Sequence, residues 1–282
     1  MHPNAPVLLN CSNVAALIGR HPFNDRVSAF LSAWRSTDRS SYYSAHERNR
    51  VPTVEEERRK VRQASSFLQT NPSTAELLAE TRAAIKRDAK PAQAIHTFSS
   101  LAADVSTVDI AKETKRVAFT RYGEEKENVI IERVRAVFPE MDVTRHEDMH
   151  RMHIGQTRSG RSIVLQGRVD ALSKDQRVVF EIKTRVHKLF MEARDYERIQ
   201  VQSYLQLFPQ ATKAFLVEGI FNAGQVPSVN VISITRCDDD WMNAAIDMAH
   251  VIDTVLASTE LQDAIVTTKD ENILTTILNN ST

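Results

Sequence analysis

Asp170 and Glu181 stand with ten residues between them, and Lys183 follows Glu181 by two, in the strings Gly167-Arg168-Val169-Asp170 and Glu181-Ile182-Lys183-Thr184. Two carboxylates and an ammonium at that spacing are the groups that phosphodiester hydrolysis calls for. The carboxylates hold a hard divalent cation, which polarises the phosphoryl group and acidifies a water, and the ammonium serves that water or the developing charge. Side chains alternate along a strand, so on Arg177–Thr184 the residues Val179, Glu181 and Lys183 share one face. Val178, Phe180 and Ile182 share the other. A turn centred on Asp175-Gln176 sets Asp170 directly opposite Glu181. Carboxylates that face each other are costly unless a cation bridges them. Mg²⁺, or Mn²⁺ in its place, suits such a pair, because it takes one or two carboxylates, several waters and a substrate phosphate. The same string also suits a plain ion pair on a surface hairpin, so the other segments carry weight.

Two of them add polar groups. Gly123-Glu124-Glu125-Lys126-Glu127-Asn128 opens a helix whose apolar stripe is Ile130, Ile131, Val134, Val137 and Phe138. Glu127 falls on that stripe, one turn ahead of Ile130 and Ile131. A carboxylate facing inward needs a charged partner, although a solvated first turn explains it as well. Gln200 and Tyr204, in Gln200-Val201-Gln202-Ser203-Tyr204, are four apart and share a helix face, where an amide and a phenol can brace a phosphate or a water.

The elements that must position these groups follow from periodicity and punctuation. Residues 8–35 read as an entry segment and a helix with Ser12 as N-cap and Gly19 near its end, then a second helix over Val27–Trp34. Residues 36–52 are polar and loop-like. Residues 53–118 are helical and polar, with a capping box Thr53-x-x-Glu56, punctuation at Asn71–Thr74, a helix over Ala75–Lys90, and Pro91 interrupting it. Tyr122-Gly123 breaks the chain before a helix over Glu124–Phe138, which Pro139 closes. Val143–Thr184 reads as strands and 187–208 as helix. Ala214–Phe221 and Ser228–Arg236 are strands joined by Asn222–Pro227, and Asp238–Ala257 is a closing helix with Trp241, Met248, Val251, Ile252 and Val255 on its apolar side. The order implies an α/β (α+β) fold, one domain over 1–282 with a helical insertion at about 37–118.

Composition narrows the class. Lys+Arg equals Asp+Glu at 36 each, so any basic surface is local. One is present: eleven basic against six acidic side chains lie between Arg151 and Gln200, which places salt-sensitive DNA binding there. Two cysteines, Cys11 and Cys237, are too few for a disulfide framework or a Cys-only iron–sulfur cluster. No apolar run spans a membrane and the first residues lack the pattern of a signal peptide, so a soluble intracellular protein is expected. No Walker-type phosphate loop is present. His146, His150 and His153 lie close to Glu147 and Asp148, but with no cysteine near them they are set aside as a zinc site. Asp238-Asp239-Asp240 reads as a helix cap.

Together the blocks resemble the lambda-exonuclease-like (YqaJ) branch of the PD-(D/E)XK nuclease superfamily. Ser12-Asn13-Val14-Ala15-Ala16-Leu17-Ile18-Gly19 looks like its N-terminal Ser helix. Gly123-x-x-x-Glu127 looks like its first acidic motif. Gly167–Asp170 with Glu181-Ile182-Lys183 resembles its metal-binding core, and Gln200-Val201-Gln202 with Tyr204 its Gln-rich helix. The resemblance implies a restriction-endonuclease-like core, a mixed central sheet flanked by helices. It implies a metal-dependent exonuclease, often 5′-to-3′ on double-stranded DNA, working in recombination or repair, commonly beside a single-strand annealing protein and in some members as a trimer. Asp170, Glu181 and the Ile182 carbonyl would hold the metal, with Glu127 assisting. Lys183 would serve the attacking water, and Gln200 would be catalytic. Ser12, Arg20, Arg168, Arg185 and Tyr204 would meet DNA. The chain departs from the family at Val7-Leu8-Leu9-Asn10, which carries no basic residue for a 5′-phosphate and leaves Arg20 and His21 as substitutes. A structure-specific endonuclease of the same superfamily and a non-catalytic DNA-binding protein on this fold are the alternatives. The second sits less well with Glu127, Asp170, Glu181 and Lys183 all present.

Overall fold

The computed structural model describes residues 5–64, 107–185, 188–221, 226–237 and 241–281. They form β1 (Val7–Asn10), a 3-10 turn at Cys11–Asn13, α1 (Val14–Leu17), α2 (Arg26–Thr37), α3 (Arg39–Asn49), α4 (Val54–Ala64), α5 (Thr107–Val137), β2 (Thr144–Arg145), β3 (His150–Gln156), β4 (Ser162–Gly167), β5 (Ala171–Leu172), β6 (Val178–Arg185), α6 (Asp195–Leu207), β7 (Lys213–Ile220), β8 (Ser228–Thr235), α7 (Trp241–Ala257), α8 (Thr259–Thr268) and α9 (Glu271–Ser281). The chain divides into two compact units, one of residues 1–51 and 129–282, the other Pro52–Asn128. The expected punctuation at 71–74, the helix at 75–90, the residues 222–225 of the β7–β8 connection and Asp238–Asp240 lie outside the described residues.

The larger unit holds both sheets. One has the order β1-β4-β3, with β1 and β4 parallel. The other has the order β2-β5-β6-β7-β8, with β6 and β7 parallel and the remaining pairs antiparallel. The fold is therefore mixed α/β. The five-stranded sheet is covered on both sides, which is why β6 and β7 read as nearly continuous apolar runs. Val178, Phe180 and Ile182 pack with Phe215 and Val217 against Ile130, Ile131 and Val134 of α5. Val179, Ala214 and Leu216 belong to the main core with Ile199, Tyr204 and Leu205 of α6 and the apolar face of α7. The alternation expected on β6 is thus realised, one face per core. Gly219 permits the close approach of β7 to α5, since a Cβ there would lie 2.4 Å from Ile130 Cδ1.

Several elements differ from expectation, each for a physical reason. Residues 39–49 are a helix, not a loop. The Asp38 side chain accepts from Ser41 N at 3.0 Å, Trp34 Nε1 donates to Ser41 Oγ at 2.8 Å, and Tyr42, Ala45 and His46 form a buried face at helical spacing. Gly123 does not break the chain; α5 runs through it, since an isolated glycine inside a helix costs only about 1 kcal/mol. Ser12 is not an N-cap but an exposed member of the 3-10 turn before α1, which Gly19 terminates at φ +76°. Helix α6 begins at Asp195 rather than near 187. Residues 188–194 are held as an irregular segment because Glu218 Oε2 accepts the amides of Phe190 and Met191 at 3.0 and 3.1 Å, and Met191 sits at φ +68°. Two helices, α8 and α9, follow the expected closing helix. In the smaller unit the Thr53/Glu56 capping box is present, with Thr53 N donating to Glu56 Oε2 at 2.8 Å and Glu56 N to Thr53 Oγ1 at 3.2 Å. Among the described residues no helix is long and apolar enough to cross a membrane.

Candidate active site

The β5–β6 hairpin builds the site. Gln176 N donates to Ser173 O at 2.8 Å and Gln176 adopts φ +57°, so the turn falls where the spacing placed it. The register pairs Ala171 with Phe180 and Leu172 with Val179. Continued by one residue it sets Asp170 across from Glu181. Asp170 itself lies just before the start of β5. Its carbonyl accepts from His146 N at 3.0 Å, and its Oδ2 accepts from Ile182 N at 2.6 Å. In a strand the N–H and C=O of one residue leave on the same side, so the Ile182 carbonyl faces the same open edge.

Across the pleat from Ile182, the charged face is cross-braced. Lys183 Nζ donates to Glu181 Oε1 at 2.6 Å and to Gln200 Oε1 at 3.0 Å. Gln200 Nε2 donates to the same Glu181 oxygen at 2.9 Å and to the Tyr204 hydroxyl at 3.1 Å. Helix α6 thus reaches the hairpin through one amide that uses its acceptor on the lysine and its donors on the glutamate and tyrosine. Tyr204 is buried and packs tightly on β4: a Cβ at Gly167 would lie 2.9 Å from Tyr204 Cε1 and 2.9 Å from Cys11 Sγ. That contact explains why the position before Arg168 is glycine. Burial pushes the Cys11 thiol well up, so it is a packing residue.

The electrostatics would suit a bound cation. Glu181 is 3% exposed, and burial together with the neighbouring Asp170 charge pushes its carboxyl up to about 8, against the pull of Lys183. Its Oε2 is buried without a hydrogen-bond partner. Burial would depress the Lys183 ammonium, but the Glu181 carboxylate and then Asp170 outweigh it and raise its pKa, so Lys183 stays charged. Desolvation and the Glu181 charge raise the Tyr204 phenol, which stays neutral. An orphaned carboxylate oxygen beside a second carboxylate is an acceptor set that a hard divalent cation fits. Among the described residues no three His, Cys, Asp or Glu side chains converge on one point, so any remaining positions would fall to carbonyl and solvent oxygens.

No family model matches the chain, and no curated protein matches it. Solved structures do. A phage-related exonuclease from Haemophilus somnus 129PT aligns over 94% of this chain and 97% of its own, at 12% identity and a TM-score of 0.42. The protein designated SSO0001 aligns over 52% of this chain and 69% of its own, at 18% identity and a TM-score of 0.34. At such scores the chemistry has to be argued from the side chains.

Glu127 lies in the smaller unit, half-buried on α5. Arg20 is exposed but committed to Asp195 at the start of α6, with Nε and Nη2 at 2.9 and 2.8 Å from the two carboxylate oxygens. Arg168 is exposed two residues before Asp170. Arg185 and Tyr204 are not surface groups for DNA. Tyr204 is buried behind Gln200. Arg185 is buried on the far turn of β6, with Nε on Glu218 Oε1 at 2.7 Å and Nη2 on Glu197 Oε1 at 2.8 Å. Sequence reasoning missed these two glutamates. The available signal was Glu218 itself, a lone charge directly after the apolar run Phe215-Leu216-Val217 and before Gly219-Ile220, which demands an internal counter-charge. Of the three clustered histidines, His146 and His150 touch edge to edge, while His153 lies on the opposite face of β3 from His150.

Proposed function

We propose that the protein is a metal-dependent deoxyribonuclease of the PD-(D/E)XK type, a double-strand exonuclease running 5′-to-3′ in recombination or repair. The observation that carries the reading is the unpartnered, buried Oε2 of Glu181 beside Asp170, with Lys183 fixed on the same carboxylate. Mg²⁺ or Mn²⁺ would be held by Asp170, Glu181 and the Ile182 carbonyl, and would supply charge neutralisation at the phosphate. Water adds to phosphorus, one P–O bond breaks, and the products are a phosphate monoester and an alcohol. Lys183, kept as an ammonium, donates a hydrogen bond to the incoming water or to the phosphate oxygens rather than acting as a base. Gln200 fixes the Lys183 rotamer, and Tyr204 fixes Gln200. Exonuclease rather than endonuclease action, a trimeric assembly and an annealing partner rest on the resemblance of the ordered sequence blocks alone.

The test is digestion of an end-labelled linear duplex beside a covalently closed circle, with Mg²⁺, by wild type and Asp170→Ala. The proposal requires progressive loss of the linear DNA only, absent in the variant. Nicking of the circle would replace the exonuclease with an endonuclease, and no metal-dependent cleavage of either would leave a DNA-binding protein.

A further inference from the structure

One turn ahead of Gln200, the same face of α6 carries Tyr196, so Tyr196, Gln200 and Tyr204 form a stripe at four-residue spacing. Tyr204 and Gln200 are taken up by the catalytic cluster. Tyr196 is half-buried and belongs to a different group. Its ring lies 4.3 Å from the His21 ring and 6.2 Å from Phe23, edge-on, and the Arg194 guanidinium sits 4.7 Å from its centroid. Arg194 also covers Phe190 at 4.2 Å. Phe23 is 75% exposed.

A phenylalanine left in water on a solvated loop has no stabilising role. This one is held in place. His21 Nδ1 accepts from both Phe23 N and Asn24 N at 3.1 Å, which fixes the turn that displays the ring. The His21 pKa is lowered by partial burial and then by the Arg194 and Lys183 charges, so the ring stays neutral and stackable near the catalytic lysine. Two acids of α6 beside the rings are spoken for: Asp195 by Arg20, Glu197 by Arg185 and Arg194. The result is a rigid, exposed aromatic surface with cationic edges, the chemistry that takes the π-face of a base next to a phosphate backbone.

We propose that His21, Phe23 and Tyr196, edged by Arg194, form a stacking platform for an unpaired nucleobase at the end of the strand being cut. The inference rests on the nuclease reading for its direction, since the platform lies one helical turn from Gln200. It would seat the terminal nucleotide so that the adjoining phosphate reaches Lys183.

The experiment uses a single-stranded oligonucleotide with 2-aminopurine at its end, titrated with the full-length protein in Ca²⁺ so that binding is read without cleavage. Wild type should quench the terminal fluorophore. Phe23→Ala, a change at an exposed position, should abolish the quenching and weaken binding about fivefold or more, and Phe23→Trp should restore both. An abasic end should weaken wild type by the same factor and Phe23→Ala no further. With Mg²⁺, Phe23→Ala should raise KM for DNA while leaving hydrolysis of bis(p-nitrophenyl) phosphate, which carries no base, unchanged. Equal quenching by Phe23→Ala, or equal affinity for abasic and intact ends, would overturn the platform. Quenching without any metal-dependent cleavage would instead sink the nuclease reading and leave the platform standing.

Discussion

The Ile182 amide donates to Asp170 Oδ2 across 2.6 Å, just before the first paired residue of β5. That bond holds one carboxylate against the strand that carries the other. Because an asparagine oxygen can accept the same bond, Asp170→Asn should keep the hairpin and lose only the charge. The expected result is an unchanged melting temperature with cleavage of linear duplex reduced by about a hundredfold or more. A variant that still degrades DNA at the wild-type rate would remove Asp170 from the site.

Lys183→Ala should abolish cleavage and leave DNA binding largely intact. Its ammonium contacts only Glu181 and Gln200 within the cluster, so its loss removes no backbone support. It does remove the cation that opposes protonation of Glu181, and metal affinity should therefore weaken as well. Binding is read by anisotropy of a labelled duplex and cleavage on a gel. Retained cleavage overturns the role given to the lysine.

Glu181 supplies the pH dependence. Burial and the Asp170 charge raise its carboxyl to about 8, so the metal-free protein should hold a proton there well above the ordinary carboxylate range. Metal binding must displace that proton. Mg²⁺ affinity should therefore rise as pH rises towards 8 and level off above it. Calorimetry at pH 7 in buffers of different ionisation enthalpy should show proton release. For stability the sign is the reverse. A carboxyl held above its unfolded value favours the fold at low pH, and the metal-free protein should lose stability as pH rises from the ordinary carboxylate range through 8. Added Mg²⁺ should cancel that loss. Metal affinity that is flat between pH 6 and 8 would contradict the assignment.

The hairpin, its turn and the two-face division of β6 were legible in the sequence because a period of two and a five-residue turn leave one register. Gln200 and Tyr204 were legible as a pair through helical spacing. What Gln200 touches was not, because its partners on β6 are set by how α6 crosses the sheet. Helix α3 escaped notice because its buried face is Tyr42, Ala45 and His46 among polar neighbours, too weak a stripe to outweigh its composition. Arg185 was misassigned to DNA for the same non-local reason: Glu197 and Glu218, which neutralise it, lie 12 and 33 residues away in the chain.

That buried triad carries the next prediction. Arg185 bridges Glu197 and Glu218, and Glu218 in turn holds the Phe190 and Met191 amides. Arg185→Leu removes the counter-charge of buried Glu218, leaves Glu197 with Arg194 alone, and should cost about 3–5 kcal/mol in denaturant unfolding. Burial would raise the Glu197 carboxyl, yet Arg194 and Arg185 hold it below the ordinary value. Its contribution is present above the ordinary carboxylate range and is lost as pH falls through the depressed native value. Arg194→Ala should therefore move acid unfolding to higher pH, and an unmoved acid transition would show that Arg194 does not matter to it.

Arg168 and Arg185 make opposite predictions for salt dependence, although both are arginines in the basic stretch flanking Asp170 and Glu181. Arg168 is exposed two residues from Asp170, free to meet a phosphate, whereas Arg185 is sealed between carboxylates. A protein that neutralises phosphates releases counterions, and each contact contributes about one to the slope of log affinity against log salt. Arg168→Ala should lower that slope by about one and weaken binding to all sequences alike. In Arg185→Leu, measured well below its unfolding transition, the slope should equal that of wild type. A reduced slope in Arg185→Leu would return that residue to the DNA surface, and an unchanged slope in Arg168→Ala would move the phosphate path away from the β4–β5 connection.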